Sequence, residues 1–325
     1  MPYVYYVPSR PAGQMAVLFK AATEPLPYSR NMDDVFAAGD RFLLNEARLL
    51  ERRLFATCLL GQPAARVVDA LRGYQNDDGG FGHALEPDIR CPASLPIYVE
   101  TAFQALAAAG TADHDMVTRA CGFLARTAAE VGTGGAVPPA LPVIESFPRA
   151  AHWTEWAYEP GLNPTAGLVG LLYQLGVDHP WRSAGAAYCW QQLESGDLPG
   201  DAHVLREILV FLEHVPDRPR AEQHAAALAS NLAGIPLFHL DPDTPGYGLS
   251  PLDVAPQASS RWRTLFTDSQ ISDHLDRLQK VQQADGGWPI TWEPPSQAAN
   301  SEWRGIVTLG ALRTLTSYGR LTAEA

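Results

Sequence analysis

Apolar residues recur at helical spacing in several segments of the chain, and no long run alternates them with polar residues. This pattern predicts one helix over 98–109, which ends at Gly110, and another over 202–213. A stripe of leucines that ends at Gly176 predicts a further helix. Only residues 3–7 suggest a short strand. The pattern therefore predicts an all-α fold built from helical hairpins.

Two segments of the chain align with each other without gaps. Residues 71–81 and 278–288 both carry Leu four positions before Gln, Gly four positions after it and an aromatic residue six positions after it. Weaker copies lie between them, at intervals of roughly fifty to ninety residues. Repeats of this length indicate a stacked or closed array of similar units rather than unrelated domains. We therefore expect a single domain over 31–325, preceded by an N-terminal arm over 1–30.

The aligned positions are Gln75 and Gln282, each followed by Gly and then by Phe81 or Trp288. This Gln-x-x-x-Gly-x-aromatic pattern resembles the QW motif of squalene–hopene cyclases and their relatives, the protein prenyltransferase β subunits. The resemblance covers about residues 45–320 and implies an α/α toroid, in which inner and outer rings of helical hairpins surround a central cavity. It also implies that the motif is structural, with each glutamine bonding backbone groups at helix ends while the aromatic ring stacks nearby.

The catalytic signatures of these families are missing from the sequence. Class II cyclases protonate an alkene with the motif Asp-x-Asp-Asp, and the nearest match, over 241–244, lacks the final Asp but supplies Asp243 as a candidate acid. The zinc-binding pattern of protein prenyltransferases, the Cys-His pair of lanthionine cyclases and the Asp-Asp-x-x-Asp that binds magnesium are also absent. We therefore expect no metal ion and no cofactor.

Candidate acids come from long, Pro-rich loops. Glu86 and Glu293 each lie 11 positions after the motif glutamine and before a proline, and Glu159 precedes a proline in another long loop. Carboxylates at equivalent places in a ring would converge near its mouth, where like charges and apolar walls raise a carboxyl pKa. A Glu before Pro is equally typical of a loop residue that accepts backbone hydrogen bonds. The repeated position favours these three residues as catalytic acids. The loops are 82–97, 135–164, 239–260 and 289–303.

Aromatic and polar side chains accompany these acids in the same loops. An aromatic lining suits a carbocation through cation–π attraction, or a sugar ring through stacking. Asp201 is typical of a helix N-cap, and Arg304 of a surface ion pair, yet both would face a cavity in a toroid. The predicted substrate-binding residues are His83, Asp88, Trp153, Glu155, Trp156, Asp201, His203, Trp292, Trp303 and Arg304.

Charge and composition narrow the possible partners and the compartment. The chain has 24 basic and 36 acidic residues, a net charge of −12, and no basic block longer than two residues. We therefore expect no nucleic-acid partner. The N-terminal residues lack the features of a signal peptide, and no apolar run is long enough to cross a bilayer. Four scattered cysteines without metal-type spacing are typical of buried thiols in a cytoplasmic protein.

These features favour a terpene-cyclase-like enzyme, an isomerase or lyase. It would start acid-initiated chemistry on an isoprenoid or other apolar small molecule in an aromatic-lined central cavity. Two alternatives stay open. One is a carbohydrate-active lyase or hydrolase, because α/α toroids also host enzymes with paired carboxylates. The other is a non-catalytic ligand-binding module, because a fold does not determine a function.

Overall fold

A computed structural model describes residues 32–154, 157–196 and 200–322 of the chain. Within these residues there are twelve α-helices and four short 3-10 helices, with isolated β-bridges and no strand. The prediction of an all-α fold is therefore confirmed. The predictions that fall outside the described residues are the arm over 1–30, the strand over 3–7 and the roles of Glu155 and Trp156.

The α-helices vary from four to 21 residues in length. They are α1 (Met32–Glu46), α2 (Leu49–Leu60), α3 (Ala65–Arg72), α4 (Pro96–Ala108), α5 (His114–Glu130), α6 (Leu162–Gln174), α7 (Pro180–Glu194), α8 (Ala202–His214), α9 (Arg218–Ala229), α10 (Pro251–Val254), α11 (Asp268–Lys280) and α12 (Gln297–Ser317). The 3-10 helices are Pro142–Ser146, Ala151–Trp153, Leu232–Gly234 and Arg261–Leu265.

The helices predicted from leucine spacing begin and end beside the residues that mark helix ends in the sequence. Helix α4 is followed by Gly110 in the left-handed region, with φ 65°, which a glycine adopts without strain. Helix α6 ends before Gly176, with φ 68°. The side chain of Asp201 accepts hydrogen bonds from the backbone N–H groups of His203 and Val204 and caps α8. The predicted N-cap is thus confirmed.

The helices pack against one another in a regular order. Along the even-numbered helices, α2 contacts α4, α4 contacts α6, α6 contacts α8 and α8 contacts α10. The odd-numbered helices pack against their even-numbered neighbours, as α7 does on α6, α9 on α8 and α11 on α10 and α12. Helix α12 in turn packs against α1 and α2, so the last helix contacts the first two. None of the described helices combines the length and apolar character needed to span a bilayer.

Glycines allow α6 and α8 to approach closely. A Cβ atom added to Gly170 would lie 2.5 Å from the carbonyl oxygen of Val210, and one added to Gly167 would overlap Oε2 of Glu207. It would also lie 3.3 Å from Oε1 of Glu100. Because Glu100, Gly167 and Glu207 all lie in the second turns of their helices, the N-terminal ends of α4, α6 and α8 meet on the same side of the helix layer.

The two aligned Gly-Gly turns make the same hydrogen bonds. Nε2 of Gln75 donates to the carbonyl oxygens of Gly79 and Met116, each at 2.9 Å. Nε2 of Gln282 likewise donates to its own turn and, at 2.9 Å, to Val35. Each glutamine therefore links the end of one helix to the first turn of another, α3 to α5 and α11 to α1. The motif aromatics beside these turns are both buried.

Candidate functional site

Several of the predicted substrate-binding residues come together around the carboxylate of Asp88. Nε1 of Trp303 donates a 2.8 Å hydrogen bond to Oδ1 of Asp88. Asp88 is only 3% exposed, and this burial raises the pKa of its carboxyl, whereas the Trp303 hydrogen bond and the charge of His152 lower that pKa. Asp88 is therefore a buried acid held in place by an indole N–H group. Trp303, which the sequence places in a loop, lies in the second turn of α12.

Three half-buried aromatic side chains form a continuous surface beside this carboxylate. Trp292 meets Trp303 edge-on with ring centroids 5.0 Å apart, and Tyr247 meets Trp292 edge-on at 5.6 Å. Trp292 also lowers the pKa of Asp88, although within the described residues its Nε1 makes no hydrogen bond of good geometry. We call Tyr247, Trp292 and Trp303 the aromatic wall. Tyr247 is not among the residues predicted from the sequence, although it lies in the predicted loop 239–260.

His152 completes the surroundings of the acid. The backbone of Asp88 pairs with the segment before His152, since the N–H of Ala150 donates to the carbonyl of Asp88 at 2.8 Å. Nε2 of His152 then lies 3.7 Å from Oδ2 of Asp88, and the histidine side chain is 53% exposed. Burial lowers the pKa of His152, and so does the charge of His203, while Asp88 raises it. The raised pKa of Asp88 and the lowered pKa of His152 shift the two groups toward each other from their ordinary values.

His203 contacts the aromatic wall at Tyr247. Its Nε2 makes a 2.8 Å hydrogen bond with the hydroxyl of Tyr247, and the two rings stack at 5.7 Å. Its Nδ1 lies 3.4 Å from Asp201, whose pKa is lowered chiefly by its hydrogen bond with His203. The N-cap of α8 thus sets the position of His203. We call Asp88, His152, His203 and the aromatic wall the Asp88 pocket.

Glu86 lies beneath the pocket and is buried. The backbone N–H of Asp88 donates to Oε2 of Glu86 at 3.0 Å. Burial, and after it the charge of Asp88, raise the pKa of Glu86 to about 8, while Arg48 lowers it. The expectation that an apolar wall and a like charge raise a carboxyl pKa therefore holds for Glu86. This carboxyl is protonated at neutral pH.

A buried arginine anchors the turn that carries both acids. Nη1 of Arg48 donates to the carbonyl oxygens of Leu85, at 2.9 Å, and Ala84, at 3.3 Å. The same guanidinium pairs with Glu51 through two bonds of 2.6 and 3.0 Å. His83 and Ala84 have positive φ values of 59° and 57°, which side chains other than glycine rarely adopt. Arg48 therefore fixes a strained turn, while His83 itself is exposed to solvent.

The other predicted acids lie in different surroundings. Glu159 and Glu293 are exposed, and no hydrogen bond or ion pair among the described residues joins them to Glu86. Asp243 is 85% exposed and lies 3.7 Å from Arg277. Hydrogen bonds from Arg48 hold the proline-rich loop in which Glu86 is buried. The loops that carry Glu159 and Glu293 leave these carboxyl groups exposed to solvent. Within the described residues, the convergence of three Glu-Pro carboxylates is therefore not observed.

Two further predicted substrate-binding residues, Arg304 and Trp153, pack against other residues of the chain. Arg304 makes two 2.8 Å hydrogen bonds to Asp285 in the second Gly-Gly turn, and its guanidinium lies 4.5 Å from the ring centre of Phe42. Its charge is thus compensated by Asp285, in the ion pair that is typical of such an arginine, and its role in substrate binding stays a prediction. Trp153 is buried and packs beside the ring of His152 at 5.6 Å.

Comparison with known proteins gives no family assignment. No protein-family model matches the chain, and a search of curated proteins finds no match. In the part of the chain that the structure describes, no group of three or more His, Cys, Asp or Glu side chains is arranged to hold a metal ion. The chemistry that the Asp88 pocket offers is proton transfer beside an aromatic surface.

Proposed function

We propose that this chain is an acid-initiated enzyme with terpene-cyclase-like chemistry, and that Asp88 is its proton donor. One observation carries the proposal. A buried carboxyl of raised pKa lies against an aromatic wall and within 3.7 Å of a histidine that reaches solvent. The substrate is an isoprenoid or another apolar molecule with a carbon–carbon double bond, because the wall offers π surfaces beside the acid.

The proton-transfer step follows from the arrangement of the pocket. The π electrons of the double bond take the proton of Asp88, a carbon–hydrogen bond forms and a carbocation remains. The faces of Trp292, Trp303 and Tyr247 attract this cation, at about 0.5–2 kcal/mol for each ring. The cation then loses a different proton to water, which gives an isomer, or is captured by water, which releases a proton to the solvent and gives an alcohol. His152 returns a proton from solvent to the Asp88 carboxylate.

The order of helix packing supports the α/α toroid as the scaffold of this pocket. Contacts run along the even-numbered helices, and α12 packs against α1 and α2. The Gln282 bond to Val35 also joins α11 to α1. In a closed ring of hairpins, the loops before the even-numbered helices would surround one mouth, and residues 82–95 and 289–296 are two of these loops.

The proposal is tested by incubating the full chain in D₂O with farnesyl diphosphate, geranylgeranyl diphosphate or squalene. Acid-initiated chemistry places one deuteron from solvent on carbon, which mass spectrometry detects in the product. Asp88→Asn removes the proton donor and is expected to abolish product formation. Glu159→Gln, an exposed loop carboxyl before a proline, is the matched control and is expected to leave the rate unchanged.

Other results would contradict the proposal. A product without deuterium, formed with release of diphosphate, would mean that ionisation of the substrate starts the reaction. Deuterated product from Asp88→Asn at the rate of the unmodified chain would mean that another acid acts. Cleavage of oligosaccharides without isoprenoid turnover would favour the carbohydrate-active alternative.

A further inference from the structure

Two buried carboxyl groups and one arginine meet next to the Asp88 pocket. Glu100 on α4 is 4% exposed and Glu207 on α8 is 1% exposed. Oε1 of Glu207 accepts from Nε of Arg206 at 3.0 Å and from Nη2 at 2.7 Å. Oε1 of Glu100 accepts from Nε2 of Gln104 at 2.7 Å and lies 3.7 Å from Nη2 of Arg206. The single guanidinium thus compensates the charge of only one carboxylate.

One oxygen of this group lacks a donor. Oε2 of Glu207 is fully buried and has no hydrogen-bond partner among the described residues. It lies against the Cα of Gly167, and the position of a Cβ at Gly167 would also be 3.3 Å from Oε1 of Glu100. Both carboxyl groups therefore reach the same point on α6. A protonated Glu100 is the donor that would satisfy the oxygen, since a buried polar atom without a partner is costly.

We propose that Glu100 and Glu207 share a single proton, and that this acid–carboxylate pair positions Arg206 beside the Asp88 pocket. The proton removes the second negative charge, because Glu100 is then neutral and Glu207 alone balances Arg206. Burial and the charge of Glu207 raise the pKa of Glu100 well above its ordinary range, against the opposing effects of Arg206 and Gln104. Two close carboxyls that hold one proton between them are a known consequence of like-charge repulsion at short distance.

Arg206 connects the pair to the pocket. Its side chain is 34% exposed, and its charge lowers the pKa of Tyr247 in the aromatic wall, although burial raises that pKa more. The role of Arg206 as a positioned pocket residue rests on the proposed function, whereas the shared proton does not. Arg206 on α8 is the charged group that faces the pair. Tyr247 and Asp253, from the segment 247–253, interact with Arg206 in turn. On α6, the backbone of Gly167 lies against both carboxyl groups.

The shared proton is tested with Glu100→Gln, which keeps an N–H donor for Glu207 and cannot ionise. A raised pKa in the folded state means that the stability from the protonated form is complete at low pH and is lost as the pH rises. The Tm of Glu100→Gln minus that of the unmodified chain is therefore expected to increase from pH 5 to pH 9, by more than about 2 °C. The infrared difference spectrum between the unmodified chain and this variant should show the loss of one protonated carboxyl band, while the band of Glu86 is present in both proteins.

Two matched variants separate the shared proton from an ordinary buried ion pair. Glu207→Gln removes the carboxylate that holds Arg206 and should lower the Tm at every pH. Glu51→Gln, at a buried Glu whose two carboxyl oxygens accept hydrogen bonds from Arg48, should do the same. In ¹⁵N NMR spectra, the Nε–H signal of Arg206 should persist in Glu100→Gln and vanish in Glu207→Gln.

The proposal is overturned if Glu100→Gln is as destabilising as Glu51→Gln at every pH, because Glu100 would then be ionised. It is also overturned if the Arg206 signal is unchanged in Glu207→Gln. All of these measurements are made without substrate. A failure of isoprenoid turnover would therefore contradict the proposed function and leave the shared proton standing.

Discussion

The indole N–H of Trp303 binds the carboxylate of Asp88 across 215 residues of sequence, at 2.8 Å. The bond joins α12 to the loop before α4. A second bridge runs beside it, since Arg90 makes two hydrogen bonds to Glu302, of 2.5 and 3.2 Å. The loop that carries the acid is therefore fixed to α12 at two neighbouring points.

Replacing Trp303 should change the acidity of Asp88. The hydrogen bond favours the ionised carboxyl, so Trp303→Phe should raise the pKa of Asp88 further and cost about 1–3 kcal/mol of folding free energy. A ¹³C NMR titration of the aspartate carboxyls would measure the pKa. Trp292→Phe, which removes an indole without a well-formed hydrogen bond, should have a smaller effect. Equal effects of the two variants would contradict the assignment.

Glu86 should make the stability of the chain depend on pH. Its folded-state pKa of about 8 is raised above the unfolded value, so the stability it contributes is complete at acidic pH and is lost as the pH rises through 8. The free energy of unfolding of Glu86→Gln should therefore rise relative to that of the unmodified chain between pH 5 and pH 9. The rise should be roughly 1.4 kcal/mol for each unit by which the folded and unfolded pKa values of Glu86 differ. Urea denaturation at a series of pH values would measure this. If the free energies of unfolding of the two proteins changed in parallel with pH, Glu86 would have the same pKa in the folded and unfolded chain.

The close approach of α6 and α8 should make Gly170 intolerant of a side chain. Gly170→Ala would place a methyl group 2.5 Å from the carbonyl oxygen of Val210, and we expect it to cost about 1–3 kcal/mol or more. Gly310→Ala in α12 is the matched control, because no atom lies within 4 Å of its added Cβ. It should be neutral or stabilise the helix by up to about 1 kcal/mol. Thermal unfolding would measure the stability of both variants. If Gly310→Ala were less stable than Gly170→Ala, the prediction would be wrong.

The bond from Gln282 to Val35 should stabilise the first helix. Gln282→Ala removes two hydrogen bonds and leaves a buried carbonyl without its donor, at a cost of about 1–3 kcal/mol. Hydrogen exchange of the backbone amides in α1 should become faster in this variant. Gln75→Ala, which breaks the equivalent bond to α5, should leave exchange in α1 unchanged. Faster exchange in α1 in both variants would show a general loss of stability instead.

The helices could be predicted from sequence because their signals are local. The leucine stripe of α6 ends before a glycine, and Asp201 stands directly before α8. Trp303, His203 and Asp201 could be selected because they are aromatic or polar residues near long loops. Which of the three Glu-Pro carboxyls is buried could not be predicted, because the loop of Glu86 is held by hydrogen bonds from Arg48, which lies before α2 and is distant in sequence.

The remaining pocket residues depend on contacts between distant parts of the chain. His152 lies in a segment that the sequence marks as polar and aromatic, but its distance to Asp88 is set by the pairing of residues 88–90 with 148–150. Glu100 and Glu207 stand in apolar helical stripes, where a carboxylate is unusual, and this is the signal that could have indicated them. Their partner Gly167 shows no such signal, because a glycine within a predicted helix does not by itself indicate a contact with a carboxyl group.

The proton held by Glu86 has a thermodynamic consequence for the whole chain. The formal charge of −12 counts every carboxyl as ionised, whereas the folded chain at pH 7 keeps this one neutral. Folding therefore takes up a proton from the buffer, and unfolding releases it. The heat of unfolding should then differ between buffers such as phosphate and Tris, whose own protonation enthalpies differ.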